Sequence, residues 1–173
     1  MAAITRSMGT PKIWAVNATW APTNSSWSTT PDYLITLASI ANGAGRQGAK
    51  GDLGASWNQI WIPILRIETT ATPTAGAAIT LAWAPSPSAT AANDNPGGCT
   101  GADAAFSDAD LFNQLWILGS LNCDNAVSVQ QQPLGEFRPP LRYGMPVVWN
   151  ASNAALDADN IQMGVILVPI PEA

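Results

Sequence analysis

An all-β fold, an antiparallel two-sheet sandwich of the jelly-roll kind, is what this 173-residue chain predicts. Three observations predict it. The apolar runs are short and rich in β-branched and aromatic residues, which suit a pleated surface. Fourteen glycines and fourteen prolines are scattered between those runs, the punctuation of many tight turns. Helical signals are nearly absent. About eight antiparallel strands in a chain of this size fit two packed sheets, with a closed barrel or an immunoglobulin-like sandwich as the alternative.

The elements follow in order. Ile13 to Trp20 mixes branched, aromatic and small residues and reads as a strand. Tyr33 to Ile40 is rich in Leu and Ile, and Asn42 to Gly45 stops it. Trp57 to Glu68 is the longest run, and Pro63 in its middle predicts an edge position, a bulge or two shorter strands. Ile79 to Trp83 places Ile79, Leu81 and Trp83 on one face, the pattern of a half-buried strand. Leu115 to Leu121, Ala126 to Gln131, Met145 to Trp149 and Ile161 to Val168 complete the set. Between Asp103 and Leu115, Asp108 can cap one short helical turn. The segment Ala84 to Asp110 is too long for a hairpin turn, and loops of that length usually carry function or bury themselves against a partner. No linker divides the chain. Residues 13–173 read as a single domain preceded by an arm, residues 1–12.

Composition narrows the chemistry. There is no histidine, so the commonest general base and metal ligand is missing. Serine is plentiful, but there is no histidine to activate it. The pairs Asp108/Asp110 and Asp157/Asp159 lack the central Gly and terminal Glu of a calcium loop, and they read as solvated turns. No catalytic residue, cofactor or metal is expected. Seven Lys+Arg against twelve Asp+Glu give a net charge of -5, which disfavours nucleic acid as a partner. No apolar run reaches the length of a membrane-spanning helix. Met1 to Met8 lacks the apolar core of a secretory signal, so synthesis in a cytoplasm is expected. Cys99 and Cys123 are read as two free thiols or, alternatively, as one disulfide formed after lysis. Of the eight tryptophans, five or six lie in strand-like runs and should be core or subunit interface. Trp27, in a Ser/Thr-rich stretch, is the one expected at the surface, where an indole could stack on a sugar.

Charge is unevenly distributed. Glu68 to Glu136 contains seven acids and no base, whereas Arg6, Lys12, Arg46, Lys50 and Arg66 all lie in the first 66 residues. A single sandwich can fold these regions beside one another. Alternatively a basic surface of one subunit meets an acidic surface of the next, which would register assembly. Arg6, Lys12, Arg46 and Lys50 are the candidate assembly contacts. The arm from Ala2 to Lys12 is expected to become ordered by crossing onto a neighbour, with the loop Ala84 to Ala92 sharing the contact surface.

Several segments carry a resemblance: Gly45 to Gly54 (GRQGAKGDLG), Ile67 to Gly76 (IETTATPTAG), Ile79 to Thr90 (ITLAWAPSPSAT), Asn95 to Ala105 (NPGGCTGADAA), Phe137 to Gly144 (FRPPLRYG) and Val147 to Ser152 (VVWNAS). In this order they resemble a family of small structural proteins of tailed-bacteriophage virions. The resemblance implies a virion component, without turnover, made in the host cytoplasm and carried on the particle. Within it, a capsid decoration (cement) protein on the outer surface of the head is expected. Its partners would be the major capsid protein and further copies of itself, a trimer suiting quasi-threefold positions. A tail, neck or fibre component is the alternative, and a carbohydrate-binding module is the alternative of another class. Low charge with many Ser, Thr, Ala and Gly residues suits this reading, since such surfaces are cheap to desolvate.

Overall fold

The computed structural model describes residues 10–16, 20–22 and 27–170. Among them are eleven strands: β1 (Lys12–Ala15), β2 (Tyr33–Leu34), β3 (Ala44–Gln47), β4 (Gly51–Asp52), β5 (Ile60–Ile67), β6 (Ala78–Ser86), β7 (Ala104–Phe106), β8 (Trp116–Asn122), β9 (Gln130–Pro133), β10 (Tyr143–Ala151) and β11 (Gly164–Ile170). One helical turn, α1 (Ala109–Phe112), is capped by Asp108, whose carboxylate accepts from the N–H groups of Asp110 and Leu111.

The strands form two sheets, ordered β2-β1-β11-β5-β9 and β7-β3-β10-β6-β8, with β4 continuing alongside β10. Every pair is antiparallel except β1 with β2. With the short β2, β4 and β7 set aside, the eight remaining strands, renumbered in chain order, run 1-8-3-6 in one sheet and 2-7-4-5 in the other. That is the strand order of a jelly roll. The fold class predicted from sequence is therefore the one observed.

The core lies between the sheets. Ile79, Leu81 and Trp83 of β6 all point into it and are fully buried, as their alternation predicts. Trp14, Trp61, Leu65, Ile67, Val165 and Leu167 meet them from the first sheet. An aromatic row crosses this core. Tyr33 lies 4.9 Å from Trp14, Trp14 5.7 Å from Trp83, Trp83 5.8 Å from Phe137 and Phe137 6.3 Å from Trp116, measured between ring centroids. Such pairs add to what burial alone contributes. The ring of Trp14 fits only because Gly51 lies over it: a Cβ there would sit 2.5 Å from the indole.

Several expectations are corrected. β5 is one continuous strand between β11 and β9, not an edge or a broken pair. The N–H and C=O of a strand residue point the same way, and the Pro63 carbonyl accepts from Leu134 N, just past the end of β9. The missing Pro63 donor therefore falls where the ladder is already ending. The strand expected from Tyr33 to Ile40 is only two residues long, although Ile35, Leu37 and Ile40 still deliver their side chains to the core. The second face of β6 is covered as well. Residues 87–115 fold back over the outside of its sheet, and Cys99, Phe106, Phe112 and Leu115 bury Ala82 and Ala84 there. The long loop buries itself against its own sheet.

Candidate interaction surface

The bases singled out from the sequence are held within the chain. Lys12 Nζ lies 3.3 Å from Asp32, whose other oxygen accepts from Ile13 N. Arg46 donates through Nε and Nη2 to both oxygens of Asp103, each at 2.6 Å. Asp103 also accepts from the N–H and hydroxyl of Thr36. Lys50 Nζ donates to Ser86 Oγ at 2.8 Å and to the carbonyls of Ser88, Thr90 and Asn93 at 3.2, 2.8 and 2.7 Å. Desolvation lowers the Lys50 ammonium pKa, and Asp94 partly opposes that. Arg6 and most of the arm lie outside the described residues. Arg46 and Lys50 thus fasten the two ends of the 86–103 segment, so a base-rich and a base-free stretch meet inside one sandwich.

The Lys50 contact makes a local prediction. Lys50→Ala removes charge-assisted donors to three carbonyls and should cost about 2 kcal/mol. The loss should be concentrated in the loop. Amide exchange of residues 87–94 should accelerate more than that of β6 or β10, which exchange data on the two proteins would check.

The cysteines are both free and buried, Cys99 under the folded-back loop and Cys123 in the main core. They occupy separate apolar clusters, and no disulfide joins them. Desolvation pushes the Cys99 thiol up to about 12 and raises Cys123 as well, aided by Asp124. Neither is a reactive thiolate near neutral pH. The acidic pairs are turn formers: Asp108 caps α1, and Asp157 and Asp159 accept from the N–H groups of Asp159 and Ile161. Among the described residues no three His, Cys, Asp or Glu side chains gather as a metal site.

The surface itself is more informative. An antiparallel sheet with one wet face alternates apolar and polar residues. β5 and β11 do not. Ile60, Ile62 and Ile64 of β5 point outward, paired across the ladder with Ile170, Val168 and Ile166 of β11. Trp20 and Trp27 lie over the β1 side of this face, against Ile13 and Ile166. Trp27 is therefore half-buried, not the exposed indole the sequence suggested. Among the described residues the exposed large apolar groups are Trp116 (44%) and Ile117 (43%) on β8 and Val127 (52%) in the loop after it. Trp116 touches Phe137, and Phe137 lines a 230 Å³ cleft with Ile60, Glu136 and Arg138. An apolar strip therefore runs from the isoleucine face, round the open side of the sandwich, to Trp116.

The rest of that open side is sealed by glutamines. Gln132 accepts from Asn122 N and donates to Ser120 O, and Gln130 accepts from Asp124 N. Two β9 side chains thereby mimic a neighbouring strand along the free edge of β8, a form of edge protection. Gln131 takes a hydrogen bond from the buried Arg66. A second cleft, 330 Å³, is lined by Thr10, Pro11, Ile13, Trp27, Ser28, Thr30 and Asp32.

The chain matches no protein-family model and no curated protein. The sequence reading placed Trp116 only among the strand tryptophans expected in core or subunit interface, and it did not single out Phe137 or Ile60. The signal was present in β5 and β11, whose apolar runs, unlike β6's, continue without alternation towards solvent.

Proposed function

We propose that this chain is a structural protein of a tailed-bacteriophage virion, a capsid decoration protein that binds the outside of the assembled head and bridges neighbouring capsid subunits. The observation that carries the reading is the isoleucine face. A sheet whose outward positions are apolar is built to be covered, and burial stabilises by about 25 cal/mol per Å². The jelly roll supports it by analogy, since capsid domains use that fold, but lectin domains use it too. The six segments resembling virion proteins and the low surface charge point the same way. Repetition over a lattice would multiply a modest contact into stable attachment.

The test is copy number on purified particles, by quantitative mass spectrometry with a reconstruction to locate the chain. Hundreds of copies on the head are expected. Tens or fewer, placed at the tail or neck, would replace decoration with the tail reading. The Trp27 cleft favours one further reading. An indole beside Ser28, Thr30 and Asp32 is the chemistry that grips a sugar, although Asp32 is already engaged by Lys12. Binding on a glycan array, abolished by Trp27→Ala, would establish it.

A further inference from the structure

The strip from Ile62 to Trp116 has an internal symmetry of charge. Phe137 pairs with Trp61 as an antiparallel bridge, exchanging both backbone hydrogen bonds, so the chain is extended there. In extended chain the side chains at i and i+2 share a face, about 7 Å apart. Phe137 turns into the core, and Glu136 and Arg138 are both exposed. Arg138 also donates to the Asn58 carbonyl at the rim. One acid and one base thus stand side by side on the outward face, next to the cleft and the isoleucines.

A two-fold axis passing between them would set each Glu136 against Arg138 of the second copy. This is the arrangement an isologous contact demands, in which i meets j and j meets i. A face of one sign would instead oppose like charges. The remainder of the patch (Ile60, Ile62, Ile170 and Trp116) carries no charge to be mismatched when it meets itself.

We propose that the chain pairs with a second copy of itself across this surface, with Glu136 and Arg138 crossing the axis and Trp116 buried near its centre. A threefold arrangement needs a head-to-tail contact between two different patches, and the symmetric charge pair favours the dimer over the trimer expected from sequence. The pairing is a property of the isolated chain and does not rest on decoration of a head; on a particle, a capsid contact at the isoleucine face would have to displace the second copy.

The experiment is sedimentation equilibrium on the purified chain over a concentration series. Wild type should approach twice the 18.0 kDa chain mass. Glu136→Arg and Arg138→Glu should each weaken association by about tenfold, because each reversal places like charges together at two symmetry-related points. The double swap should return to within about threefold of wild type, a coupling that a general loss of stability does not imitate. Trp116→Ser, at a side chain that is 44% exposed and packs on Phe137, should weaken pairing by about thirtyfold as a central aromatic anchor. Thermal melts of each variant verify folding, and a variant that does not fold is replaced by the salt dependence of wild-type association, which should weaken as salt rises. A wild type that stays monomeric or sediments as a trimer would overturn the proposal. So would folded single reversals that associate normally, a double swap without rescue, or a salt-independent association.

Discussion

Asp103→Asn should destabilise the protein by about 3 kcal/mol in urea unfolding, among the largest losses from any single polar substitution. The carboxylate is 7% exposed and joins three parts of the chain: Arg46 on β3, Thr36 in the segment after β2, and its own position at the start of β7. Removing one partner of a buried pair leaves the other charge uncompensated, which is why the loss exceeds that of a surface ion pair. Burial alone would push the Asp103 carboxyl up. The Arg46 and Thr36 donors outweigh it and hold the group below the usual carboxylate range. A folded value below the unfolded one means stability that is full above about pH 4 and is lost as the pH falls through the folded value. The wild type should therefore lose stability on acidification, and the gap between wild type and Asp103→Asn should shrink in the same window. A gap constant from pH 7 to pH 2 would contradict the assignment. Glu68 works in the opposite sense, raised first by burial and then by Asp157 and Asp159, so the comparison between the two proteins is the measurement to make.

Gly144→Ala should be at least as damaging, about 3 kcal/mol, or a fall in melting temperature of about 10 °C. A Cβ at position 144 would lie 2.4 Å from the Trp83 ring. That ring cannot retreat. It is fully buried, with Trp14 and Phe137 against it, and β10 is itself pinned between β3 and β6. Trp83→Phe in the Gly144→Ala background should recover part of the loss by vacating the contested space. It also removes the indole N–H, which is buried without a partner. If the two substitutions prove additive, the clash is not where the damage arises.

The legible and illegible parts of this fold separate on physical lines. Strand β6 declares itself because its large residues alternate, and Asp108 declares its cap because a carboxylate before a short apolar turn has little else to do. Strands β3, β4 and β7 could not be read. Apart from Phe106, Ala44–Gln47, Gly51–Asp52 and Ala104–Phe106 carry small or polar residues with little β preference, and they pair because β10 and β3 offer an open edge. The bases were visible but not their partners, since Arg46 and Asp103 are 57 residues apart and nothing local links them. The strand expected over Ala126 to Gln131 lies at Gln130–Pro133, but that its glutamines also stand in for a neighbour of β8 leaves no periodic trace. The interaction surface was half legible. The unalternating runs of β5 and β11 announce two buried faces, but which neighbours cover the second is a tertiary fact.

The strand order has a consequence for how the chain is made. β11, the last strand, sits between β1 and β5, and Lys12 of the first strand lies in register with Leu167. β10 holds the same middle position in the other sheet, between β3 and β6. As the ribosome releases the polypeptide from its N-terminus, Ile13, Trp14 and the isoleucines of β5 emerge long before the strand that joins them exists. Neither sheet can close until β10 and β11 have emerged, and contacts this distant in sequence form slowly once they can. The sandwich therefore completes in one late, cooperative step, once β11 has been made. A nascent chain cut short by even its final strand would retain two unpaired apolar edges, a substrate for chaperones or aggregation rather than a smaller version of the protein.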